Sequence, residues 1–215
     1  MLLYLHGFAS GPASTKARAM DERFGRLGAR LVVPDLTPGS GGFERSTPTS
    51  MLAIAEAALA GAPPPHAIIG SSLGGWLAAL AASRSPGVER LVLMAPAFRL
   101  AERWLARLPA ADLARWKREG LEVDHHASGR RRRIGWGFME DALRWPAWPA
   151  VKVPALCFAG TNDDLVPVVD VERWVRQTPS ARLVVLEDGH DLVASVDRIF
   201  DESRTFLGSL VPGNL

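Results

Sequence analysis

Five residues, Gly70-Ser71-Ser72-Leu73-Gly74, constrain the chain more than any others. They fit the pattern Gly-x-Ser-x-Gly. An apolar run at 66–70 precedes them and a helical pattern at 73–83 follows. A serine held between a strand and a helix in this way needs a very tight turn, and tight turns need small neighbours. Gly70 and Gly74 supply that room, and Gly75 extends it. The register puts Ser72 at the tip, and Ser71 before it. The N-terminus of the following helix lies beneath Ser72, so negative charge developing there is stabilised.

The flanking pattern repeats along the chain. Short apolar runs at 2–5, 30–34, 66–70, 88–95, 153–159 and 181–186 read as strands. Helical patterns at 15–27, 49–59, 73–83, 168–177 and 191–207 alternate with them. Continuous apolar strands alternating with helices predict a mostly parallel sheet of about six strands, covered by helices on both faces. The 215 residues, 47% apolar and 22% charged, suffice for one such α/β unit without disulfides or metals. The single cysteine, Cys157, lies in an apolar run and is expected as a buried strand residue.

A serine hydroxyl needs a base to act as a nucleophile. Among five histidines, His190 stands in Glu187-Asp188-Gly189-His190-Asp191, directly after the last strand. Sites in open parallel sheets lie beyond the C-terminal strand ends, so His190 is expected to meet Ser72. A carboxylate should orient the imidazole. The loop after the 153–159 strand offers Asp163 and Asp164; Asp188 and Asp191 are weaker rivals because they share the turn of His190. Oxyanion donors are expected from the backbone N–H of Leu73 and of Phe8, the latter at the end of the first strand. His6 is expected to prop that loop, and Asp35 to close the turn after the second strand.

Together these motifs resemble the α/β-hydrolase superfamily over nearly the whole chain. The chain order Ser72, Asp163, His190 is the order that superfamily uses. The spacing of Asp163 to Val166-Pro167 matches its pattern and favours Asp163 over Asp164. The opening Tyr4-Leu5-His6-Gly7-Phe8-Ala9-Ser10-Gly11-Pro12, with Lys16-Ala17, resembles the small bacterial YqiA-like esterases. That resemblance implies a shortened sheet and a carboxylic-ester or thioester hydrolase without a cofactor. An amidase or peptidase on the same three residues, and a non-catalytic small-molecule-binding protein on this scaffold, are the alternatives.

One stretch interrupts the rhythm. No sheet strand is evident between Ala95 and Val151, so residues 98–148 are expected as a lid inserted into a core of 1–97 and 149–215. Five of the seven tryptophans lie there: Trp104, Trp116, Trp136, Trp145 and Trp148. They can line an acyl pocket or form the lid's own core. Trp136 and Phe138, flanked by Gly135 and Gly137, are the candidates to face substrate. Arg130 to Arg133 reads as a solvated turn, with steering of an anionic substrate as the functional alternative. The sequence Asp124-His125-His126 lacks a spaced third ligand, so no metal site is expected. The loop at 39–42 reads as a flexible connection.

The formal net charge of +2, with only one short basic run, gives no reason to expect nucleic acid as a partner. No apolar stretch approaches the roughly 20 residues of a membrane span. The opening Met1-Leu2-Leu3-Tyr4-Leu5 lacks the basic lead of a secretory leader, so the expected location is cytoplasmic. Monomer and homodimer both remain open.

Overall fold

The alternation of side chains along the buried strands sets the layers of the protein. In the computed structural model, which describes residues 1–39 and 41–213, Leu3, Leu5, Ile68, Leu91, Leu93 and Cys157 point into one apolar layer. Leu2, Tyr4, Ala67, Ile69, Val92, Met94, Leu156 and Phe158 point into another. Both faces are therefore dry, as a parallel sheet requires.

The strands are β1 (Leu2–Leu5), β2 (Leu31–Val32), β3 (His66–Ser71), β4 (Val88–Met94) and, beyond a long connection, β7 (Ala155–Gly160) and β8 (Ala181–Leu186). They form one six-stranded sheet in the order β2-β1-β3-β4-β7-β8, parallel throughout. The second strand is shorter than the run at 30–34 suggests. Helices α1 (Thr15–Arg26) and α9 (Val196–Leu207) cover the Tyr4 face with Ala17, Met20, Phe24, Ile199 and Leu207. Helices α3 (Pro48–Ala60), α4 (Leu73–Arg84) and α8 (Val168–Gln177) cover the other with Met51, Leu52, Trp76, Leu77, Val171 and Trp174. The helix α3 starts sharply because Thr47 and Ser50 cap one another reciprocally and Pro48 occupies its first turn. The last helix starts at Val196, five residues later than its apolar pattern suggests. The Asp188 carboxylate accepts N–H bonds from Gly189 and Ser195, and these hold 189–195 as a turn.

The connection between β4 and β7 holds α5 (Leu100–Arg107), α6 (Ala110–Glu119), β5 (Leu121–His125), β6 (Arg130–Ile134) and α7 (Gly137–Ala142). It adds no strand to the main sheet, but β5 and β6 form an antiparallel hairpin of their own. The arginine run, expected as a turn, is thus a strand. Its charge hides a period-2 pattern that is legible only with the partner strand in place. Arg131 and Arg133 share one face with Glu122, whereas Arg132 lies across from Val123 and places its guanidinium 5.6 Å from the Phe43 ring.

Indole N–H groups fasten this connection. Trp76 donates to Pro146 O, Trp116 to Ile134 O and Trp174 to Pro149 O. Trp145 donates to Thr49 Oγ1, and Thr49 in turn gives its N–H and hydroxyl to Asp141. Phe43 belongs to a short helix, α2 (Gly42–Arg45), where the sequence suggested only a loop; Ser40 of that loop lies outside the described residues. Among the described residues, no helix is long and apolar enough to cross a membrane.

Candidate active site

Ser72 stands between β3 and α4 with φ 53° and ψ −117°, a backbone conformation that side chains other than glycine seldom adopt. Its surroundings impose the strain. The Ser72 N–H donates to Met94 O, and the Ser72 carbonyl accepts from Gly75, Trp76 and Ala97. A Cβ on Gly74 would sit 2.0 Å from Leu5 O, and one on Gly70 would sit 2.3 Å from Gly74 O. Only glycine lets the elbow approach β1 this closely.

Ser72 Oγ lies 2.9 Å from His190 Nε2, and His190 Nδ1 lies 2.8 Å from Asp163 Oδ2. These partners fix the tautomer: Nδ1 carries the proton toward Asp163, and Nε2 is left to accept from the serine hydroxyl. Asp163 Oδ1 accepts the N–H groups of Leu165 and Val166 at 2.8 and 2.7 Å. Burial pushes the Asp163 carboxyl up. The bond to His190 and those two N–H groups outweigh it and leave the carboxyl below its ordinary range. Asp164, the neighbouring candidate, is exposed, and its backbone carbonyl accepts from Arg107. Asp188 is spent on the turn that carries His190. The two loops are joined: Asn162 N–H donates to Asp188 O, and Gly160 has no space for a side chain against the same carbonyl.

The first loop comes to the same point. A Cβ on Gly7 would lie 3.5 Å from Ser72 Cβ, so the Gly7-Phe8 backbone borders Ser72. Leu73 opens α4, where the first N–H groups of a helix have no intrahelical acceptor. His6 is buried. Its Nε2 accepts the Leu36 N–H at 3.2 Å and its Nδ1 lies 3.0 Å from Gly7 O, so the ring ties the β1 loop to the β2 loop. Burial lowers its tendency to protonate, against the pull of the Gly7 carbonyl and of Asp35. Asp35 closes its own turn by accepting the Thr37 N–H.

Aromatic rings wall the loop. Phe8 lies 5.1 Å from Trp104, 5.4 Å from Phe138 and 5.4 Å from Phe43, centroid to centroid. Phe138 is buried under this cluster. Trp136 turns to Trp116 instead, with the Lys117 ammonium 4.9 Å above its ring. Sequence reasoning counted Trp104 only among the five tryptophans of 98–148 and did not name Phe43. Nothing in the spacing of either links it to the first loop, and only the folded connection brings them to Phe8. His125 ends β5, and His126 lies in the turn that follows it. His125 is buried, bonded to Ser128 and packed on Phe43, while His126 is exposed.

Solved structures share this architecture. A candidate hydrolase from Agrobacterium vitis S4 superposes with a TM-score of 0.83 at 24% identity, covering 95% of this chain and 87% of that one. Alpha/beta hydrolase domain-containing protein 10 from mouse gives 0.78 at 22% identity, with 96% and 88% covered. Est1E from Butyrivibrio proteoclasticus, in its structure with ferulic acid bound, gives 0.71 at 19% identity, with 96% and 88% covered. At these identities the likeness establishes the α/β-hydrolase fold. None of the curated proteins matches the chain. The sequence profile of the Uncharacterised protein family (UPF0227) matches residues 1–206, and with an α/β-hydrolase fold over that span the protein belongs to this family.

Proposed function

We propose that the protein is a serine hydrolase that cleaves carboxylic esters or thioesters through an acyl-enzyme on Ser72. The observation that carries this reading is the continuous relay from Ser72 Oγ through His190 to Asp163, at 2.9 and 2.8 Å. A hydroxyl on a strained turn, with a base in contact and an oriented carboxylate behind it, is built for nucleophilic attack. The names of the structural neighbours, a hydrolase and an esterase among them, agree with it.

Ser72 attacks the acyl carbonyl and passes its proton to His190 Nε2. Asp163, held by Leu165 and Val166, stabilises the imidazolium that forms. The N–H groups of Phe8 and Leu73 receive the oxyanion. His190 then protonates the departing alcohol or thiol. Water repeats the cycle on the acyl-enzyme and releases the acid. Residues 98–148 act as a cap over this centre, with Phe138, against Phe8, and Trp136 bordering the acyl group.

Intact-mass spectrometry after incubation with a fluorophosphonate tests the reading. One adduct on the wild type and none on Ser72→Ala is the expected result, followed by turnover in a panel of acyl esters and thioesters. A folded wild type that takes no adduct at Ser72 would overturn it.

A further inference from the structure

The base-bearing turn sits in an unusually acidic setting. Asp163 is bonded to His190 itself, Asp188 shapes the turn, and Asp191 follows His190 directly. Two cations answer them. Arg103, on α5, feels the Asp163 charge but is engaged by Asp170 at 3.3 Å. The other is Lys16, on α1. Its ammonium donates to the carbonyl of Asp191, the residue immediately after the base.

Lys16 is a costly residue in that place. It lies in the first turn of α1, where the helix dipole disfavours a cation, and no acidic side chain shares that turn. Burial works against its charge, while Asp191, Asp163 and Asp188 sustain it. A flexible, strongly hydrated ammonium is held half-buried by one backbone carbonyl, within electrostatic reach of three carboxylates.

We propose that Lys16 is a positioning residue of this site: it ties down the turn that carries His190 and sets a positive charge against the carboxylates of the two loops. This rests on the serine-hydrolase reading above. With Lys16 uncharged, Asp163, Asp188 and Asp191 would lose the one cation that all three sustain, and Arg103 would offset Asp163 alone. The acid limb of the reaction would then lie at a higher pH.

The rate of inactivation by a fluorophosphonate, followed from about pH 5 to pH 9, isolates the effect without a known substrate. Lys16→Met removes charge and donor, Lys16→Gln keeps a donor without charge, and Lys16→Arg keeps charge. Thermal melts establish that each variant is folded, and Lys16→Gln carries the test if Lys16→Met is not. We expect the acid limb of the profile to move up by about 0.5 to 1 pH unit in Lys16→Met and Lys16→Gln, and to stay with the wild type in Lys16→Arg. An acid limb that does not move in the uncharged variants overturns the inference, even if the rate falls at every pH. A wild type that takes no label at Ser72 overturns the hydrolase reading and this inference with it, so the two failures are distinct.

Discussion

The loops at the C-terminal end of the sheet and the connection between β4 and β7 are held by different means. Backbone packing without slack marks the loops: glycines without space for a Cβ, a serine at positive φ, and carbonyls and N–H groups that bond across from loop to loop, with Asp163, Asp188 and His6 bonded to that backbone. Side chains fasten the connection: indole N–H groups and packed rings, beside a hairpin with a charged face. Backbone fixes atoms to fractions of an ångström and tolerates almost no change. Side-chain packing tolerates exchange as long as volume is kept. The proposed chemistry therefore sits on the part that cannot vary, and the proposed cap on the part that can.

The sharpest test of this contrast is on adjacent carboxylates of one loop. Asp163→Asn should lower kcat/KM by about 10³- to 10⁴-fold, because an amide cannot hold the same His190 tautomer. Asp164→Asn should stay within about twofold, since that side chain is exposed. A large loss at Asp164 would mean that the acid loop is not fixed as described. Asp163 also bears on stability in acid. The Asp163 carboxyl is held below its ordinary range, so its contribution to stability is complete above the unfolded-state value and disappears as pH falls through the lowered folded one. Acid unfolding of Asp163→Asn should have a shallower pH dependence than that of the wild type.

Next in size is a pair of glycines. Gly74→Ala would drive a Cβ to 2.0 Å from the Leu5 carbonyl oxygen, a contact that only backbone movement relieves. We expect a loss of about 4 kcal/mol or more in chemical denaturation, or no folded protein. Gly137→Ala, in the first turn of α7, meets nothing within 4 Å and should be neutral or stabilising by up to about 1 kcal/mol. A destabilised Gly137→Ala would show the connection to be as rigid as the elbow.

Phe138 and Trp136 divide the connection itself. Phe138 is buried against Phe8 and Trp104, so Phe138→Ala should cost about 3 kcal/mol or more, and Phe138→Leu much less. Trp136 is half-buried against Trp116, and Trp136→Ala should cost about 1 to 2 kcal/mol. If the cap borders the acyl group, Phe138→Leu and Trp136→Ala should change the acyl-chain preference of kcat/KM while both remain folded. An unchanged preference would confine both rings to structure.

The same contrast decides what the sequence could reveal. The sheet was legible because strands buried on both faces read as continuous apolar runs. Ser72 was legible because a tight elbow admits few residue types. The alignment of Asp163 and His190 followed from their being at the ends of strands that the parallel order makes neighbours. The hairpin was not legible: β6 shows four arginines in a row, and their alternation emerges only when Glu122, Val123 and Asp124 lie opposite. The walls of the first loop were legible only in part: Phe138 and Trp104 stood out as aromatic residues of 98–148, but that they and Phe43 meet Phe8 follows from tertiary packing alone. Lys16 left a sign, a cation in the first turn of a helix, but its partner lies 175 residues away.

The smallest effect concerns that hairpin. Glu122 lies 3.7 Å from Arg131 and 3.8 Å from Arg133, and all three side chains are more than half exposed. These distances exceed a good hydrogen bond, and exposed pairs of this kind are worth little. Glu122→Gln should therefore change stability by less than about 0.5 kcal/mol. It also raises the positive charge of the hairpin by one. If the arginines steer an anionic ester toward the cap, kcat/KM for that ester should rise slightly in Glu122→Gln and fall with added salt, with a neutral ester unaffected. Equal salt responses for both esters would make the run the hydrophilic face of a strand. Arg132, turned inward over Phe43, would then be the one arginine of the four with a structural task.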